Sequence, residues 1–86
     1  MRTFIITRSS FSGSGHWTSH WLGDNNSSPE YMANSILGVL NMQIFGIPLV
    51  GSDICGFNGE TNPLLCARWH VVGSLYPFSR NHNSIG

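Results

Sequence analysis

Eighty-six residues make one small domain at most and leave room for only a modest core. The chain is 41% hydrophobic and 9% charged and has no lysine; Arg2, Arg8, Arg68 and Arg80 balance Asp24, Glu30, Asp53 and Glu60 to a formal net charge of zero. That balance argues against the basic face of a nucleic-acid binder and against a polybasic membrane-surface segment, and every apolar run falls short of the roughly 20 residues that span a bilayer.

A self-contained soluble domain usually has about a quarter of its residues charged. The deficit reads as a chain taken from a larger core, with much of its surface covered by neighbours. Met1-Arg2 leads straight into a strand-like run, with no apolar leader region and no small-residue cleavage site.

In chain order, Phe4-Ile5-Ile6-Thr7 is a short apolar, β-branched run that suits a strand buried on both faces. A long polar and glycine-rich loop is expected from Arg8 through Ser28. Ser27-Ser28-Pro29-Glu30 then opens a helix, with a serine cap, proline in the first turn and an acid behind it. Met32, Ile36, Val39, Leu40 and Gln43 follow at helical spacing, and Gly46 stops the helix. Ile47-Pro48-Leu49-Val50 is the next strand, its ladder bonds expected mainly from Leu49 to Asp53 because Pro48 lacks the donor. A second polar cluster runs from Gly51 through Glu60. Asn62 and Pro63 then start a second helix along Leu65, Trp69, Val72 and Tyr76.

Strand, loop, helix, strand, loop, helix is the order of βα units with parallel strands. Two such units cannot close a barrel. Ligands in α/β architectures sit at the carboxyl ends of strands, where Asp24 and Asp53 fall. Cys55 and Cys66 are too few for a disulfide scaffold and lack zinc-knuckle spacing; in an oxidising compartment they can form one bridge, contributing on the order of 3 kcal/mol.

Three blocks carry a resemblance. Thr7-Arg8-Ser9-Ser10-Phe11-Ser12-Gly13-Ser14-Gly15 with His20-Trp21-Leu22-Gly23-Asp24-Asn25 resembles the acid/base region of glycoside hydrolase family 31. Phe45 through Phe57 resembles the family's next strand and loop. Arg68-Trp69 with Tyr76-Pro77-Phe78-Ser79-Arg80-Asn81-His82-Asn83 resembles the one after. Cys55 and the Arg-Asn-His-Asn block are similar to the α-glucosidase branch that includes lysosomal and intestinal enzymes.

The resemblance implies an α/β parent, a (β/α)8 barrel of about 250 residues. Residues 1–86 would be a C-terminal portion of that barrel, about two to three βα units from roughly the sixth strand towards the eighth. It implies hydrolysis of terminal α-glucosidic bonds in maltose-type oligosaccharides by a retaining double displacement. That chemistry needs two carboxyl groups about 5 to 5.5 Å apart.

By family position Asp24 is the general acid/base, Arg8, Asp53 and His82 make polar contacts to the sugar, and Trp21 and Phe57 pack on its face. The nucleophilic aspartate belongs to a Trp-x-Asp-Met-Asn-Glu type motif that does not occur here, so the rest of the barrel is a required partner. The resemblance also implies a Cys55–Cys66 disulfide, a parent in the secretory pathway (lysosome, extracellular space or cell surface), and neither a cofactor nor a metal.

Blander readings stand beside these. Asp24 can be a turn or capping residue, Arg8 and Asp53 a structural ion pair, His82 a surface residue, and Trp21 and Phe57 core filling. His16, Trp17, Thr18 and Ser19 depart from the family pattern in a loop expected to line the mouth of the site. Asn25 and Asn26 head overlapping glycosylation sequons, both expected to be unused beside an acid/base. Two rival functions remain: a metal module with His16, His20 and Asp24 stacked on a helical face, and a non-catalytic interaction protein.

Overall fold

Five short parallel strands, two of them halves of one run interrupted at Ser52, and two helices are found among residues 3–85, which a computed structural model describes; the Met1-Arg2 lead-in lies outside the described residues. Strand β1 covers Ile6–Thr7, β2 Ser19–Trp21, β3 Val50–Gly51, β4 Asp53–Ile54 and β5 Arg80–Asn81. Helix α1 runs over Pro29–Ile44 and α2 over Pro63–Gly73. Both helix starts follow the sequence expectation: the Ser28 hydroxyl accepts from Tyr31 N–H and the Asn62 carboxamide from Leu65 N–H, each with proline in the first turn.

Every strand pair is parallel. Ile6 pairs with Ser19, His20 with Val50, and Asp53 with Arg80, so the strands lie side by side in chain order. Segments β3 and β4 join through Ser52, and the run shares one flank with β2 (Leu22 N–H to Gly51 O, 3.0 Å) and the other with the approach to β5 (Phe78 N–H to Val50 O, 3.1 Å).

Two of these strands correct the sequence reading. The stretch 8–28, expected as one loop, contains β2 and a short 3-10 turn at Ser14–His16. Its residues, Ser-His-Trp, carry no β-branched signal; sheet pairing on both sides makes the strand. Likewise β5 follows Pro77 in a polar block and is defined by its pairing with β4. The described residues thus hold four strand positions, where the residue pattern marked two and the resemblance a third in the Tyr76–Asn83 block.

The β2 correction moves the 16–19 segment. Ser19 opens β2, with its N–H on Ile5 O at 2.8 Å, and a Cβ on Gly15 would overlap Gly46 O, just before β3. Residues 16–19 therefore lead into the amino end of β2, opposite the end that carries Asp24. The expectation that they line the site's mouth does not hold. Nor do His16, His20 and Asp24 share a helical face: they fall at the end of a 3-10 turn, inside a strand and in a loop.

The core lies between the sheet and α2, where Ile54, Cys55, Leu65, Trp69 and Tyr76 are buried together. Met32 and Val39 of α1 pack against it, and the Ser35 hydroxyl bonds the Tyr76 hydroxyl, tying α1 to the residue that follows α2. Close approach is licensed by missing side chains. A Cβ on Gly73 would strike Ile54 Cδ1, one on Gly51 would overlap Phe78 O, and one on Gly38 would come 2.8 Å from Leu22 Cδ1. Ile36 and Leu40, expected on the buried face, are 43% and 55% exposed, and Leu37, Ile44 and Phe45 are exposed beside them.

His20 in the centre of β2 is buried, with Nδ1 unpartnered among the described residues. Burial pushes its pKa below the ordinary 6.5. The unfolded chain then binds more protons in the window below 6.5, so the stability held above that pH is lost as pH falls through it. Melting temperatures of wild type and His20→Gln, followed from about pH 7.5 to about pH 5, should show the steeper decline in wild type; parallel curves would remove His20 from the pH response. Gly51→Ala, with backbone as the obstacle, should lower the melting temperature more than Gly13→Ala, where a Cβ meets nothing within 4 Å.

Candidate active site

The strand alternation places chemistry on the face away from the helices. Ile54 turns into the helix-side core, while its neighbour Asp53 turns to the other face and is 0% exposed. A bare carboxylate there is costly unless it is paired and hydrogen-bonded. Two groups meet it: Arg80 Nη2 donates to Asp53 Oδ1 at 2.9 Å, and Trp21 Nε1 donates to the same oxygen at 2.9 Å. Oδ2 is buried without a partner among the described residues. One carboxylate thereby joins β2, β4 and β5.

Trp21 lies between two cations. The Arg80 guanidinium carbon is 5.4 Å from its ring centroid and that of Arg8 is 5.9 Å away, within cation–π range. Arg8, just past β1, reaches across to Asp24, just past β2, with Nη1 to Oδ2 at 3.9 Å, and both side chains are open to solvent. The blander alternative of a single Arg8–Asp53 ion pair is not what the fold makes: there are two pairs, Arg8–Asp24 on the surface and Arg80–Asp53 beneath it. Gly23 makes room for the first: its φ is +86°, and a Cβ there would sit 2.5 Å from Arg8 Nε.

The loop that carries Asp24 is tied to the loop after β4. Asn25 O accepts from Phe57 N–H at 2.7 Å and Asn58 N–H at 2.9 Å, and the Asn58 carboxamide donates to Asp24 O at 3.3 Å. The Asn25 side chain donates to the buried Ser52 hydroxyl, so its sequon nitrogen is already engaged inside the fold. Asn26, exposed, bridges to Asn58. The loop after β5 joins through Ser84 N–H to Phe57 O at 2.9 Å, and the rings of Phe57 and His82 stack with centroids 5.1 Å apart.

Arg8, Trp21, Asp24 and Asp53 therefore form one connected cluster at the strands' carboxyl ends, and Phe57 and His82 form an aromatic pair on the adjoining loops. Cys55 and Cys66 are disulfide-bonded, with Cα atoms 4.6 Å apart. Sequence reasoning missed Arg80, Ser52 and the structural part played by Asn25. A signal for Arg80 existed: a buried aspartate needs a cation, and the chain offers only four arginines.

Parallel βα strands that gather paired charges, aromatics and a solvent-facing carboxylate at their carboxyl ends have the layout of α/β barrels, which carry their ligand sites at that end. The family model of the glycosyl hydrolases family 31 TIM-barrel domain matches residues 1–86. Intestinal sucrase-isomaltase of Homo sapiens is 61% identical over 85 residues, which are 99% of this chain and 5% of that protein. Lysosomal alpha-glucosidase of Mus musculus is 51% identical, covering 98% of this chain and 9% of the relative. Among solved structures, the alpha subunit of glucosidase II superposes with a TM-score of 0.91 at 40% identity, over 95% of this chain and 9% of that one. The chain belongs to glycoside hydrolase family 31. It spans 5–10% of the length of the curated relatives it matches.

Removing the cation should expose the cost of the buried carboxylate. Arg80→Ala is expected to destabilise by about 2–3 kcal/mol, below the full buried-pair figure because the guanidinium is partly solvated. Adding Asp53→Asn to Arg80→Ala should recover part of that loss in denaturant midpoints; strict additivity would mean that the two do not interact.

Proposed function

We propose that the chain supplies the acid/base half of a retaining α-glucosidase site, with Asp24 as the proton shuttle. The observation that carries this reading is the solvent-facing carboxylate of Asp24 at the carboxyl end of a parallel strand, beside Arg8 and the Asp53–Trp21–Arg80 cluster, in a chain of this family. Residues 1–86 act as a C-terminal portion of the catalytic barrel. The nucleophilic aspartate comes from the remainder.

In the first displacement the nucleophile attacks the anomeric carbon while protonated Asp24 gives its proton to the departing glycosidic oxygen. That breaks the glycosidic bond and leaves a glucosyl ester on the nucleophile. In the second, Asp24 as carboxylate takes a proton from water as the water oxygen attacks the anomeric carbon. The ester opens, glucose leaves with its configuration retained, and Asp24 is protonated again.

Arg8 and His82 contact sugar hydroxyls, Phe57 and Trp21 offer apolar rings to the C–H face, and Asp53 acts mainly by holding Trp21 and Arg80. Maltose-type oligosaccharides are the substrate class. The disulfide and the intestinal and lysosomal relatives support a secretory-pathway setting for the whole protein.

In the full-length protein, Asp24→Asn should lower kcat on maltose by about 10²–10⁴-fold. Aryl α-glucosides with good leaving groups should lose less at the first step, because they need no proton, and added azide should restore turnover of Asp24→Ala as the α-glucosyl azide. Wild-type activity in Asp24→Asn would sink the assignment. Gly23→Ala, which crowds Arg8 off Asp24, should reduce kcat/KM on maltose by at least about tenfold, equivalent to about 1.4 kcal/mol, while its melting temperature falls only modestly. The 86 residues alone should not hydrolyse maltose.

A further inference from the structure

One side-chain group lies outside the acid/base cluster and has no part in the chemistry above. His70 stands one helical turn after Cys66 on α2, with Nδ1 3.5 Å from Cys55 Sγ and 3.7 Å from Cys66 Sγ. These two sulfurs and the imidazole are the one set of three metal-ligating groups brought together among the described residues. We propose that reduction of the Cys55–Cys66 bridge converts it into a binding site for a soft divalent cation such as Zn²⁺, with Cys55, Cys66 and His70 as ligands.

The distances fit. Zinc binds thiolate sulfur at about 2.3 Å and imidazole nitrogen at about 2.0 Å, so tetrahedral angles separate sulfur from nitrogen by roughly 3.5 Å. The nitrogen already stands at that separation from both sulfurs. Only the sulfurs must part, to roughly 3.8 Å, once the bond between them is gone.

The backbone is set for it as well. Cys55 is the one described non-glycine residue in the left-handed region, at φ +78°, and this turn aims its side chain at α2. Such a conformation is disfavoured for a side-chain-bearing residue and persists where a local constraint maintains it.

Groups that can orient the His70 ring are in place. With the bridge closed, His70 Nδ1 donates to Cys66 O at 2.8 Å, and the Asn81 carboxamide lies 3.4 Å from Nε2. Metal binding needs the other tautomer. The proton moves to Nε2, and a half-turn of the Asn81 amide presents its oxygen to that proton, the usual outer partner of a ligating histidine. Cys55, Cys66 and Asn81 border a cleft of about 580 Å³, which leaves the fourth coordination position open to water.

The chemistry balances. A dithiol reductant delivers two electrons and two protons to the bridge, giving two thiols and its own cyclic disulfide. One Zn²⁺ then displaces the two thiol protons and takes the imidazole lone pair. The loop after β4 is clipped to α2 covalently in the oxidised state and by the metal in the reduced one. Phe57, two residues beyond Cys55 and stacked on His82, stays tethered in both.

Co²⁺ titration of the folded full-length protein tests this, with a Cys55→Ser/Cys66→Ser variant as the subtracted background. After dithiol reduction, one equivalent should bind with a thiolate-to-cobalt charge-transfer band and tetrahedral ligand-field absorption, both bleached by Zn²⁺. The oxidised protein should show neither. His70→Ala should weaken binding at least about tenfold, while its oxidised melting temperature stays at the wild-type value. Zn²⁺ should raise the melting temperature of the reduced protein and leave the oxidised one unchanged. Equal affinity in His70→Ala, absence of the thiolate band, or a reduced protein that stays unfolded with Zn²⁺ present would each overturn the proposal.

Discussion

The carboxylate of Asp53 organises this structure. It is completely withdrawn from solvent, and one of its oxygens takes both the Arg80 guanidinium and the Trp21 indole N–H at 2.9 Å. Three strands distant in sequence, β2, β4 and β5, are thereby committed to one register. A slip by one residue would turn Asp53 into the helix-side core among Leu65 and Trp69, where nothing could neutralise it. Apolar burial holds the sheet against the helices; this charge decides which face carries polar chemistry. The other oxygen has no partner among the described residues and is an unfilled hydrogen-bonding position at the floor of the cluster.

Above that floor, the loop that carries Asp24 is held by backbone rather than by side chains. Asn25 O accepts two N–H groups from the loop after β4, and that loop in turn receives Ser84 N–H from beyond β5. Such bonds fix the backbone at Asp24 whatever side chain stands there. The contact of Asp24 itself with Arg8, 3.9 Å apart and solvated on both sides, is loose by comparison. A surface pair of this kind contributes little to stability. Its significance is positional: it leaves a charged fork and a carboxylate facing open space.

The exposed apolar residues of α1 and of the run just before β1, Phe4 and Ile5, with a charged fraction of 9%, describe a surface that water alone does not suit. The family assignment supplies the physical context, since the chain matches a barrel domain and spans a small share of its relatives. Barrel strands are paired on both flanks and barrel helices are packed by neighbours, so β1, β5 and the outer side of α1 are where further structure would seat.

Read by itself, the sequence determined the local features whose causes are local. Ser28 with Pro29 and Asn62 with Pro63 set the helix starts, the apolar runs at residues 4–7 and 47–50 marked two strands, and motif order identified the family. It also brought forward the residues that the structure groups at the strand ends: Arg8, Trp21, Asp24 and Asp53. Strands β2 and β5 were decided by tertiary structure, because their residues, Trp21 apart, carry no strand propensity and take extended form through pairing with neighbours on the sheet. The exchange of ion-pair partners, Arg8 to Asp24 and Arg80 to Asp53, belongs to the same level. Which cation reaches a buried carboxylate depends on strand adjacency, and adjacency is a property of the folded sheet that spacing along the chain does not encode.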